Sequence, residues 1–197
     1  MTIYRGPNPF HQLTPAVKGL VVACGVFSLG GMIFPDFIIP YLGLTPLYVI
    51  EKFWVWQLFT YSFLHGNFWH LFFNLFALWM FGPHIEEYWG TKRFVIYYFS
   101  CVLGAALSQM VAPNSLVVGA SGGIYGLLLA FGFLFPSAVI YLFFVFPLRA
   151  IQAVLVIAII TFVFSVASSG TGIANFAQLG GMLTGFLIFK ISNRGPI

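Results

Sequence analysis

Residues 119–135 read Gly-Ala-Ser-Gly-Gly-Ile-Tyr-Gly-Leu-Leu-Leu-Ala-Phe-Gly-Phe-Leu-Phe. They sit inside a longer stretch, Phe94 to Leu148, of 55 residues without one Asp, Glu, Lys or Arg. A surface helix of a water-soluble protein needs a polar face, and this stretch offers none. The rest of the chain agrees. Of 197 residues, 60% are hydrophobic, 20% aromatic and 6% charged, where a soluble domain carries about a quarter charged residues. That excludes a soluble enzyme, and the apolar content excludes disorder. The net charge of +4 comes from eight scattered Lys and Arg. They form no basic face to track phosphates, which excludes nucleic-acid binding. The sequence predicts an all-α polytopic membrane protein, long enough for about six helices of ~20 residues.

Charges and turn residues set the expected spans. Pro113-Asn114, Gly119, Pro136, Pro147 and the run Ser168–Gly172 divide the long apolar stretches. The expected spans are 18–34, 67–82, 92–111, 120–135, 148–167 and 174–191. They form one membrane domain, 18–191, between tails 1–17 and 192–197. Residues 1–17 lack a cationic and apolar leader, so the first span is expected to remain in the protein. Residues 35–66 are rich in Pro, Gly, Tyr and Trp and are expected to form a long loop partly in the membrane interface. Residues 138–147 are apolar but too short to span, and are expected to lie against the helices. Six spans put Arg5, Lys18, Lys92, Arg93, Arg149, Lys190 and Arg194 on one side and only Lys52 on the other. The positive-inside rule then makes both termini cytoplasmic. The second, fourth and sixth spans all begin near the outer face.

Three groups of polar residues lie near those outer ends. His70 and Asn74 are four apart on the second span and share one helix face. Neither belongs in lipid, so that face is expected to point into the bundle. Hydrogen bonding between helices would explain them as well. Gly119, Ser121 and Gly122, followed by Tyr125, open the fourth span. A serine there has free backbone N–H groups and a positive helix dipole beside it. That would serve a nucleophile with an oxyanion site, although an isolated Gly-x-Ser-Gly more often means a capping serine on a glycine-packed helix. On the sixth span Gln178, Gly181 and Gly185 share one face, and a second glycine-striped helix such as the fourth could pack closely there. Ser121, His70, Asn74 and Gln178 are then expected to converge. Cys24 and Cys101 lie in apolar stretches and the four histidines are scattered, so no metal or cofactor is implied.

These pieces together resemble the rhomboid intramembrane serine proteases. The matching segments are His65-Gly-Asn-Phe-Trp-His70-Leu-Phe-Phe-Asn74, Gly119-Ala-Ser121-Gly122 with Tyr125, and Ala174-Asn-Phe-Ala-Gln-Leu-Gly-Gly181. The resemblance covers roughly residues 50–191. It implies that Ser121 is the nucleophile, and that His70 and Asn74 help the Ser121 N–H hold the oxyanion. Tyr125 is similar to the tyrosine that packs on the catalytic imidazole. Glu86 matches a structural acid, and His65 a residue that fixes a loop. The implied substrates are single-span membrane proteins, cut near the outer face of a bacterial cytoplasmic membrane.

Two positions depart from the family pattern. The loop carries Trp56-Gln57 where the family usually has Trp-Arg, a change expected to affect loop anchoring only. Gln178 stands where the family has the general-base histidine. An amide cannot take the serine proton and return it to the leaving amine. Losing the base costs soluble serine proteases about 10⁴–10⁶-fold in kcat. His11, His65, His70 and His84 offer no convincing substitute. Two readings follow: a rhomboid-type endopeptidase with a crippled site, or a natural pseudoprotease that binds transmembrane helices without cutting. A transporter is disfavoured, because no repeat appears and the interiors of the third to sixth spans carry no Asp, Glu, Lys or Arg.

Overall fold

The computed structural model describes residues 13–142, 146–167 and 173–192. Helix α1 (Pro15–Ile33) is followed by three short helices, α2 (Pro35–Leu42), α3 (Pro46–Glu51) and α4 (Gln57–Thr60), and a 3-10 turn, Tyr61–Phe63. Then come α5 (Phe68–Trp89), α6 (Thr91–Ser108) and α7 (Ser121–Leu134). An antiparallel hairpin of β1 (Val139–Leu142) and β2 (Phe146–Arg149) leads to α8 (Ala150–Ala167) and α9 (Ile173–Ser192). The protein is mostly helical. Helix α1 and the run Thr91–Val111 are each long and apolar enough to cross a bilayer.

The structure refines the expected boundaries. Pro83 does not end α5, which continues to Trp89 and stops at Gly90. Gly90 has φ +78, a conformation that favours glycine. The 35–66 segment is not plain loop. Pro35 and Pro46 start α2 and α3 at positions where the missing N–H costs nothing. Residues 139–142 and 146–149 pair as antiparallel strands, with Val139 opposite Arg149 and Ile140 opposite Leu148. The expected tails lie mostly outside the described residues, and α1 already begins at Pro15.

Glu86, near the end of α5, ties three elements together. Its carboxylate accepts from the N–H groups of Ala16 and Val17 at 3.0 and 3.1 Å, from the Thr91 hydroxyl at 2.7 Å and from the Thr14 hydroxyl. It therefore supplies partners for free donors at the start of α1, with a charge that suits the helix dipole. Burial alone would raise its pKa. The four hydrogen bonds outweigh burial and hold the carboxyl below its ordinary value.

Helices α6, α7 and α9 pack most extensively, and they do so through glycine. A Cβ on Gly122 would collide with Ala105, on Gly126 with Cys101, and on Gly181 with the Gly122 carbonyl. Gly185 stands against Gly126 in the same seam. Between helices in lipid the hydrophobic effect offers little, so such close backbone approach supplies the attraction. Gly181→Val should therefore lower the thermal midpoint and the folded yield in detergent. A neutral result in a thermal-shift assay would mean α9 does not depend on that seam.

Candidate active site

Gly119 turns the chain into α7. Its φ of +131 is one that side-chain-bearing residues rarely adopt, and its N–H donates to the Tyr61 carbonyl at 2.9 Å. A Cβ there would meet the Cε1 and Nε2 atoms of His70 at 2.8 Å, and Ser121 Oγ at 3.8 Å. The His70 imidazole and the Ser121 hydroxyl thus sit on the same glycine. Ser121 is the first residue of α7, with Ala120 as the N-cap and no side-chain cap. The capping-serine explanation fails, and the Ser121 hydroxyl is not committed to the helix end.

His70 is held by its own helix. Asn67 caps α5 by accepting the His70 N–H at 2.8 Å. The Gly66 N–H makes a long contact, 3.5 Å, with His70 Nδ1. An acceptor at Nδ1 leaves the proton of a neutral imidazole on Nε2, the atom beside Gly119. The buried Asn74 donates one amide hydrogen to the His70 carbonyl at 2.7 Å and keeps its second donor. In that tautomer each member of the α5 pair keeps one N–H donor.

His65 stands nearer the serine turn than the sequence suggested. Its ring lies 4.9 Å from that of His70, edge to face. Its Nε2 accepts the Ala120 N–H at 3.4 Å, and its Nδ1 lies 3.0 Å from Ser28 Oγ on α1. Burial, and the neighbouring His70, bring the His65 pKa down to about 3, against a smaller opposing effect of the Phe63 carbonyl. No local pattern marks a contact between residues 65 and 120.

Helix α9 approaches from the other side. The Ala177 carbonyl faces Gly122, and Gly181 stacks on it one turn later. Gln178 lies half-buried on that turn. Among the described residues no hydrogen bond joins it to Ser121. Tyr125 is half-buried one turn along α7 and packs on the core. Gln57 is fully buried. Its amide donates to Pro40 O at 2.9 Å and Tyr41 O at 3.3 Å, and its Oε1 accepts Thr45 N–H at 3.0 Å. Trp56 Nε1 donates to Tyr41 O at 2.9 Å. Gln57 thus anchors the loop with all its main polar valences used. Among the described residues no group of three or more His, Cys, Asp or Glu could hold a metal.

A serine at a helix head with an imidazole on the same glycine, inside an apolar helical bundle, is the arrangement to set beside known proteins. The Rhomboid domain profile matches residues 52–194. The chain is 35% identical over 140 residues to "Rhomboid protein 1, mitochondrial" of Saccharomyces cerevisiae, covering 64% of this chain and 38% of that protein. It is 30% identical to "Rhomboid-like protease 3" of Toxoplasma gondii, over 73% of this chain and 54% of that one. It is 34% identical to "Rhomboid protease GluP" of Bacillus subtilis, over 66% and 25%. The chain therefore spans only part of the length of the curated relatives it matches. It belongs to the rhomboid family of intramembrane serine proteases, and so to the integral membrane proteins.

The lowered His65 pKa gives a stability test. Unfolding lets the imidazole take up a proton below its ordinary value of 6.5, while the folded form takes one only near 3. Stability from His65 is complete above 6.5 and falls as pH drops toward 3. The thermal midpoint in detergent should fall between pH 6.5 and 4.5, and His65→Gln should flatten that slope. Equal slopes in the two proteins would remove His65 as the cause.

Proposed function

We propose that this chain is a six-span rhomboid-type serine endopeptidase scaffold that lacks its general base. Ser121 is the nucleophile. His70 Nε2–H, the free Asn74 donor and the Ser121 N–H hold the oxyanion. Gly119 and Gly122 let the imidazole and α9 come close, and Tyr125 supports the site. Gln178 occupies the position of the base, so hydrolysis by the chain as written is expected to be very low. The observation that carries this reading is the shared seat of His70 Nε2 and Ser121 Oγ on Gly119.

Both termini are cytoplasmic in this reading, and α5, α7 and α9 begin near the outer face of a bacterial cytoplasmic membrane. The positive-inside asymmetry supports that orientation. The substrates are single-span membrane proteins whose transmembrane helix enters from the bilayer. No cofactor takes part. The donors lower the energy of a tetrahedral oxyanion, each contributing about 2–4 kcal/mol. The attack still needs an acceptor for the Ser121 proton, which an amide does not supply.

The test is cleavage of a labelled single-span substrate in liposomes by the chain and by Gln178→His, each with and without Ser121→Ala. Cleavage by Gln178→His alone, abolished by Ser121→Ala, is expected. In that restored enzyme His70→Ala and Asn74→Ala should each lower kcat/KM by about 10²–10³-fold. If neither protein cuts while both bind the substrate helix, the chain is a helix-binding pseudoprotease. Cleavage by the unaltered chain, stopped by Ser121→Ala, would overturn the argument about the base.

A further inference from the structure

Ser28 and His65 form a hydrogen-bonded chain whose end partners select one proton order. The Ser28 hydroxyl donates to the Phe63 carbonyl at 3.1 Å. A carbonyl can only accept, so the one hydroxyl proton is committed there. Ser28 Oγ must then accept from His65 Nδ1, 3.0 Å away. A neutral imidazole with its proton on Nδ1 has a bare Nε2. That bare nitrogen is what the Ala120 N–H meets at 3.4 Å. A backbone carbonyl at one end and a backbone N–H at the other thus fix the tautomer between them.

The chain links two distant parts of the fold. Ser28 is fully buried on α1, and α1 lies outside the matched domain, which begins at residue 52. One turn earlier on α1, Cys24 Sγ approaches the Ser62 carbonyl at 3.8 Å. So α1 grips consecutive carbonyls of the 3-10 turn with two side chains four residues apart. At the other end Ala120 immediately precedes Ser121, and Gly119 is pinned to Tyr61 of the same 3-10 turn. The Ser121 N–H can stay aimed only while this turn stays put.

We infer that Ser28 and His65 are positioning residues: α1, through a serine that locks the His65 tautomer, holds the Gly119–Ser121 turn in place. Neither residue touches the reacting atoms. His65 stays neutral across the physiological range because burial and the adjacent His70 hold its pKa near 3, so its Nε2 remains an acceptor. Among the described residues His70 is the titratable side chain in ring contact with it. The role in catalysis rests on the protease reading above; the tautomer lock does not.

The first measurement is ¹⁵N NMR of the histidine side chains in the chain as it stands, with His65 assigned by loss of its signals in His65→Gln. His65 is expected with a protonated Nδ1 and a bare Nε2 from pH 7.5 to 5. A proton on Nε2, or titration within that range, would overturn the inference. In Ser28→Ala the tautomer preference should weaken, because only the Ala120 N–H then enforces it, and the amide signals of Ala120 and Ser121 should move while that of Leu128 stays. Unmoved Ala120 and Ser121 amides would also overturn it. In the Gln178→His background, Ser28→Ala should lower kcat about 3–10-fold with KM unchanged. It should add nothing to the loss already caused by His65→Ala, since the two act in series. Additive losses would make Ser28 an ordinary packing residue. If Gln178→His does not cut, the protease reading falls, and the NMR results still decide the lock.

Discussion

Helix α7 has 14 residues, so at ~1.5 Å per residue it rises about 21 Å. The hydrocarbon core of a bilayer is ~30 Å thick. If α7 is one of the proposed spans, one end must stop short and irregular backbone must make up the difference. In lipid every backbone N–H and C=O needs a partner within the protein. The segment before Ser121 finds its partners in the aromatic-rich stretch after α1. Leu44 and Val117 exchange two hydrogen bonds at 2.9 Å, Leu47 N–H donates to Pro113 O at 2.9 Å, and Gly119 N–H to Tyr61 O at 2.9 Å. The 35–66 segment is thus a structural partner of the serine turn. Its own rigidity comes from buried Gln57 and from packed rings, with Trp54 stacked on Trp56 at 5.5 Å and Tyr41 against both.

Short length also dictates how α7 is held. A helix that contributes few turns must gain its contacts by approaching its neighbours closely. Gly122, Gly123 and Gly126 admit Ala105, Tyr98 and Cys101 of α6, and Gly181 and Gly185 bring α9 onto the same seam. The Tyr97 hydroxyl donates to Gly126 O at 2.8 Å and the Tyr61 hydroxyl to Val102 O at 2.8 Å. The seam and the serine turn share residues: Gly122 follows Ser121 and faces Ala177, the neighbour of Gln178. Packing and chemistry therefore constrain one another at this point.

The helical architecture was legible because its signal is compositional. Among the described residues the charges stand near helix ends, so the gaps Lys18–Asp36, Lys52–Glu86, Arg93–Arg149 and Arg149–Lys190 mark the long apolar stretches. Boundaries were less legible. Pro83 reads as a stop, yet a proline inside a packed helix is tolerated, and the actual stop is the left-handed Gly90. The prolines that open α2 and α3 were visible, but a Pro-rich segment also reads as loop. The strand pair 139–142 and 146–149 was missed because a short apolar run carries no decisive period. For the site, the residue types on α5 and α7 were legible from their spacing, and their roles only through resemblance. The contact of His65 with Ala120, and of Ser28 with His65, follows from tertiary folding and leaves no local pattern.

The proton inventory around Ser121 now bears on what Gln178 means. Two imidazoles lie close to the serine turn, and either could in principle act as a base. Each, however, has its one bare nitrogen aimed at a backbone N–H: His65 Nε2 at Ala120 and His70 Nδ1 at Gly66. Taking the Ser121 proton on His65 would break its hold on Ala120 and set two donors against each other. Taking it on His70 would require the nitrogen that faces away from Gly119. The nitrogen that faces the serine already carries a proton and suits an oxyanion. On the proposed reading this arrangement favours a tetrahedral oxyanion and leaves the serine proton without an acceptor. On the proposed reading the missing acceptor belongs on α9, on the turn where Gln178 stands.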